Sequence, residues 1–89
     1  MFFVLEPIQY FVYILYSKFL NKFYIGFTSE TLVERIRKHN SNHKGFTGGI
    51  GDWELKYNEV FLEKTLAIKR EKQIKLWKSR NMIVKLIGL

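Results

Sequence analysis

Apolar side chains occupy both faces of the segment from Gln9 to Tyr16. Tyr10, Val12, Ile14 and Tyr16 fall on one side, and Phe11, Tyr13 and Leu15 on the other. A run that is nonpolar on both faces predicts a strand covered on both sides. Polar Ser17 to Lys22 predicts a turn and Phe23 to Thr28 a second strand, the two forming an antiparallel hairpin. Pairing Tyr16 with Phe23 sets Tyr13 opposite Gly26 and diagonal to Tyr24 on one face, and a one-residue slip destroys that arrangement. Ser29 to Thr31 offers N-cap residues for a helix from Leu32 to about Asn42, in which Leu32, Ile36 and His39 recur at helical spacing. The glycine-rich stretch His43 to Asp52 predicts a loop. Trp53 to Phe61 predicts a third strand, with Trp53, Leu55 and Tyr57 alternating against charged or polar residues. Thr65 is the expected cap of a second helix reaching about Lys78. Ser79 then opens a shorter helix that Gly88 closes. The predicted order is β-β-α-β-α-α, an α+β domain over residues 9–87.

The chain has 89 residues, enough for one domain, and 47% of them are hydrophobic. Residues 1–8 form a short leader whose apolar start, Met1 to Leu5, is too brief for a signal peptide or a membrane span. Cysteine is absent, so disulfide frameworks and thiolate sites are excluded, and a reducing cytoplasm is the natural setting. Net charge is +7, and its distribution is uneven. Lys64, Lys69, Arg70, Lys72, Lys75, Lys78 and Arg80 surround one acid, Glu71, while Arg35, Arg37, Lys38 and Lys44 form a second cluster beside His39 and His43. Such clustering favours phosphate backbones through counterion release. The plainer reading is a solvated helix face. A membrane surface fits less well, because the lysines surround most of the helix.

Glu71 falls at the edge of the stripe formed by Ala67, Ile74 and Trp77. It is therefore either a salt-bridged boundary residue or a metal ligand aimed into a cleft. A single carboxylate can serve magnesium, which keeps several waters. Tyr13 and Tyr24 are either core aromatics or reactive phenols beside the gap left by Gly26, since strand glycines often mark close approach of a ligand. Arg35 is either solvated or a phosphate clamp. Arg35 and His39 are helical neighbours, and His39 is expected to partner Arg35 or a substrate phosphate. His39 and His43 have zinc-compatible spacing but no third ligand. The glycine loop lacks the ending of a phosphate-binding P-loop and leads into a strand.

Phe11-Val12-Tyr13, Tyr24-Ile25-Gly26, Arg35 with His39, and the stretch Ala67 to Lys75 carrying Glu71 together resemble the GIY-YIG endonuclease superfamily. The likeness is to the small stand-alone bacterial type, similar to the N-terminal nuclease domain of the repair excinuclease. It runs from about Gln9 to Ile87. Phe11 stands where the first motif is named for glycine, Phe27 where some members carry lysine, and the interval from Gly26 to Arg35 is one residue longer than usual. The resemblance implies a three-stranded antiparallel sheet flanked by helices, and a single Mg2+ or Mn2+ held by Glu71. It further implies that Tyr13 takes a proton from the attacking water, directly or by relay, with Tyr24 positioning water and substrate. Arg35 would stabilise the phosphate and His39 would assist. Arg37, Lys38, Lys44, Lys69, Arg70, Lys72 and Lys75 are the expected nucleic-acid contacts. The expected activity is metal-dependent hydrolysis of DNA phosphodiester bonds, structure-selective and of the repair or recombination kind, without an organic cofactor or membrane. A separate protein partner could supply specificity. The alternatives are a nucleic-acid-binding module of the same fold that cleaves little, and an interaction protein whose basic helices dock an acidic partner.

Overall fold

The computed structural model describes residues 8–41, 45 and 48–88. The expected leader and the residues His43 and Lys44 lie outside the described residues, apart from Ile8. The chain forms β1 (Tyr10–Ser17), β2 (Lys22–Thr28), α1 (Leu32–Ser41), β3 (Trp53–Phe61), α2 (Lys64–Leu76) and α3 (Arg80–Ile87). The sheet is antiparallel in the order β2-β1-β3, so the doubly apolar β1 is central, as its pattern demands.

Each face of β1 feeds its own cluster. Val12 and Ile14 pack with Ala67 and Ile74 of α2, joined by Phe23, Ile25 and residues of α3. Tyr13 and Leu15 pack with Trp53, joined by Tyr24, Leu32 and Ile36 of α1. The sheet is therefore sandwiched, with α1 on one side and α2 on the other. The hairpin has the expected register: Tyr16 pairs with Phe23 and Tyr13 with Gly26. Asp52 fixes its turn by accepting from the Ser17 hydroxyl at 2.6 Å and from the Phe19 amide at 2.9 Å.

Two local expectations need correction. Trp53, Leu55 and Tyr57 do not share a face. The partner of Ile14 is Tyr57 and that of Leu15 is Leu55, so Lys56 is an extra residue in a bulge. A bulge breaks the two-residue period. Trp53 and Leu55 therefore face the α1 side, while Tyr57 and Phe61 join the α2 cluster. Thr65 is not the cap of α2. The cap position is Glu63, which makes no side-chain capping bond, and the helix stops at Leu76, two residues short of Lys78. Lys78 itself takes a left-handed backbone with φ 47°. The other termini follow the predicted chemistry. Thr31 Oγ1 accepts from the Glu34 amide at 3.2 Å, Ser79 accepts from the Met82 amide, and Gly88 closes α3 with φ 90°.

Candidate active site

The Tyr13 hydroxyl is the hub of the site. Arg35 Nε donates to it at 3.1 Å, and His39 Nε2 lies 2.8 Å away. The strand order places Tyr13 at the sheet centre, and α1 delivers Arg35 and His39 from one face because they are four residues apart. Asn40 anchors that helix to β3: its side chain accepts from the Trp53 amide at 2.8 Å and donates to the Trp53 carbonyl at 3.1 Å. Nothing local in the sequence marks Asn40 for this role, since its partner is thirteen positions away.

Gly26 makes room for the phenol. A Cβ there would sit 2.6 Å from the Tyr13 oxygen and 3.0 Å from the Tyr24 ring. The ring of Tyr24 stands 4.8 Å from that of His39 and 6.3 Å from that of Tyr13, closing the cluster. Tyr13 has no exposed surface and His39 is buried.

Burial governs the protonation states. It pushes the Tyr13 phenol above its usual value, against the hydrogen bond and positive charge of Arg35. Burial first, and the Arg35 charge second, push His39 down to about 4. At neutral pH the pair is therefore a neutral phenol and a neutral imidazole. The Tyr13 oxygen accepts from Arg35, and in the Nδ1–H tautomer of His39 its own proton is donated to Nε2.

Four of the five expected catalytic side chains thus meet: Tyr13, Tyr24, Arg35 and His39. His39 partners Tyr13, and the Arg35 charge acts on it as well. Glu71 stands on α2; its side chain is 15% exposed and its negative charge adds to the cost of ionising Tyr13. Lys75, one turn on, pairs with it at 3.2 Å. Among the described residues no group of three or more His, Asp or Glu could hold a metal. A lone carboxylate such as Glu71 would suit a hard cation that keeps its waters and would not suit zinc.

Arg35 also lines a cavity of about 400 Å3 with Thr28, Glu30 and Lys64. Glu30 had no assigned role in the sequence. One of its oxygens pairs with Lys38, the other is buried without a hydrogen bond, and its charge favours the cationic form of Arg35.

The expected nucleic-acid contacts divide into two groups. Lys69 and Lys72 are exposed on α2 and carry no ion pair among the described residues. Arg37 is paired with Glu34, and Lys38 and Lys75 are paired as above. Arg70 turns inward: it holds Glu59 at 3.0 Å, bonds Gln73 and lies 5.6 Å over the Trp77 ring. Burial pushes the Glu59 carboxyl up, but the hydrogen bonds from Arg70 and Tyr57 outweigh it and leave its pKa lowered. Arg70, one of the expected nucleic-acid contacts, thus also braces α2 against β3.

The chain is similar to known proteins in sequence and fold. The solution structure of a UPF0213 protein from Bacillus halodurans is similar, with a TM-score of 0.57 and 31% identity over 90% of this chain and 83% of that one. No curated protein matches the chain. The GIY-YIG catalytic domain matches residues 9–83. A phenol hub crossing a strand glycine, an arginine and histidine one helical turn apart, and that match together place the chain in the GIY-YIG family, a nuclease-type fold.

Proposed function

We propose that the protein is a divalent-metal-dependent endonuclease that hydrolyses DNA phosphodiester bonds, choosing its substrate by structure more than by sequence. The observation that carries this reading is the Tyr13 hydroxyl held between Arg35 Nε and His39 Nε2. A proton accepted by the Tyr13 oxygen can be matched by release of its own proton to the neutral imidazole. The buried pair works as a relay, with no need for a standing phenolate. Arg35 uses one donor on Tyr13 and keeps its two terminal NH2 groups for the charge that develops on phosphate. Tyr24, stacked edge-on against His39, orients the imidazole. Glu71 is the residue that would hold Mg2+ or Mn2+, whose bound form supplies positive charge to phosphate oxygens and acidifies a coordinated water.

Exposed Lys69 and Lys72 fit the phosphate backbone, and the small core favours a separate partner for sequence specificity. A cytoplasmic repair or recombination role fits this chemistry. No helix among the described residues is long and apolar enough to cross a membrane.

The test is a cleavage panel of single-stranded, duplex, flap and junction DNA with and without Mg2+ or Mn2+. Tyr13→Phe and Glu71→Gln should each lose about 10²-fold or more of the cleavage rate while binding is retained. Metal-independent nicking removes the metal dependence, and no nicking of any substrate removes the enzymatic reading. The Glu71–Lys75 ion pair favours the runner-up, a nucleic-acid-binding module that does not cleave. Binding without cleavage would establish it.

A further inference from the structure

On the sheet face opposite Tyr13 lies a second cavity, of about 260 Å3, lined by Tyr16, Phe23, Lys56, Arg80 and Val84. Tyr16 and Phe23 are cross-strand partners whose rings are 5.0 Å apart. The Arg80 guanidinium lies 5.1 Å over the Phe23 ring. It is held there by bonds of 2.9 Å to the Asn21 carbonyl and 2.6 Å to the Asn21 side chain, which also accepts from the Tyr16 hydroxyl at 2.6 Å. Lys56 is the extra residue of the β3 bulge, and such bulges redirect a side chain. Here the redirected chain is a cation on the rim of an aromatic floor. It pairs with Glu54, which is largely exposed.

Two aromatic rings and two cations in one small cavity match one chemistry: a planar base with an anionic phosphate beside it. The volume lies just under that of drug-sized sites, roughly 300–1,000 Å3, so it suits one base and not a folded ligand. Arg80 directs two of its five donors at Asn21, which leaves three for a phosphate. We infer that this cavity binds one nucleotide of a single-stranded nucleic acid, the base against Tyr16 and Phe23 and the phosphate on Lys56 and Arg80. The site would hold an unpaired strand behind the sheet while a duplex region occupies the Arg35 face. This inference rests on nucleic acid being the partner and does not depend on cleavage.

The test is an amide chemical-shift titration of the full chain with thymidine monophosphate and with a short oligothymidylate. It is accompanied by fluorescence anisotropy of the labelled oligothymidylate on wild type, Tyr16→Phe, Tyr16→Ala, Lys56→Ala and Arg80→Ala. The largest shifts are expected at Tyr16, Phe23, Lys56, Arg80 and Val84, with the oligonucleotide binding more tightly than the monophosphate. Tyr16→Phe keeps the ring and should keep the affinity. Tyr16→Ala should weaken single-strand binding about tenfold, and Lys56→Ala and Arg80→Ala should each weaken it severalfold. If Tyr16→Ala fails to fold, the two cation variants and the shift map decide. Shifts confined to the Tyr13–Arg35 face overturn the inference, as does equal affinity of all variants. Binding of the monophosphate with no gain from the oligonucleotide overturns the single-strand assignment. Loss of metal-dependent cleavage alone would strike the proposed activity and leave this site standing.

Discussion

At the scale of single residues, the site depends on one missing side chain and one neutral ring. Gly26 matters for its lack of a Cβ: the phenol of Tyr13 occupies the space where a methyl would go, and Tyr13 is fully buried with nowhere to retreat. Gly26→Ala should therefore cost about 1–3 kcal/mol of stability by overpacking, measured by urea unfolding, and should displace the Tyr13 hydroxyl from Arg35. His39 introduces a pH dependence. Its folded pKa of about 4 lies below its ordinary 6.5, so the unfolded chain binds more protons between those values. Its contribution is fully present above pH 6.5 and is lost as pH falls toward 4, on the order of 3 kcal/mol across that window. The carboxylates with lowered pKa, Glu34, Asp52 and Glu59, lose theirs as pH falls from the ordinary carboxylate range downward, so the upper part of the window belongs to His39. His39→Gln should flatten the stability profile between pH 6.5 and 4. An unchanged slope in that variant would assign the proton uptake elsewhere.

Among elements, α1 carries Arg35 and His39 and must be held to the sheet without a continuous apolar stripe on its C-terminal half. Asn40 does this by pairing with both backbone groups of Trp53, as another strand would. Asn40→Ala removes two side-chain bonds to the Trp53 backbone, at about 1–3 kcal/mol. It should also lower cleavage more than that stability loss explains, because Arg35 and His39 share the helix. Hydrogen exchange at the Trp53 amide reports the loosened anchor directly. The bulge at Lys56 is the corresponding device in β3. It lets one short strand contribute Trp53 to the α1 side and Tyr57 to the α2 side.

For the whole molecule, a charge of +7 overstates the number of cations available to a partner. Arg70 braces β3 through Glu59, and Arg37, Lys38 and Lys75 are paired on the surface. Surface pairs are weak and exchange readily with phosphate, whereas the Arg70 pair is shielded, with both side chains 23% exposed. Binding of duplex DNA should weaken as salt rises, and Lys69→Ala or Lys72→Ala should each reduce the salt slope by about one. Arg70→Ala should leave that slope nearly unchanged and lower stability by about 1–3 kcal/mol, since Glu59 loses its cation and keeps only the Tyr57 hydroxyl. A slope that drops equally for Arg70→Ala would place that guanidinium on the nucleic acid.

The two-sided apolar pattern of Tyr10 to Tyr16 by itself determined that β1 lies at the sheet centre, and the polar turn after it determined the register that puts Tyr13 across from Gly26. Helix caps at Thr31, Ser79 and Gly88 were equally local and equally readable, because a capping bond spans only three or four residues. The four-residue interval from Arg35 to His39 determined that they share a helix face, though not that one phenol would join them. That junction, the turning of Tyr57 by the Lys56 bulge, and the inward pairing of Arg70 with Glu59 were decided only by tertiary structure. Each depends on a partner brought near by the fold, and a periodicity along the chain carries no information about a contact between distant segments.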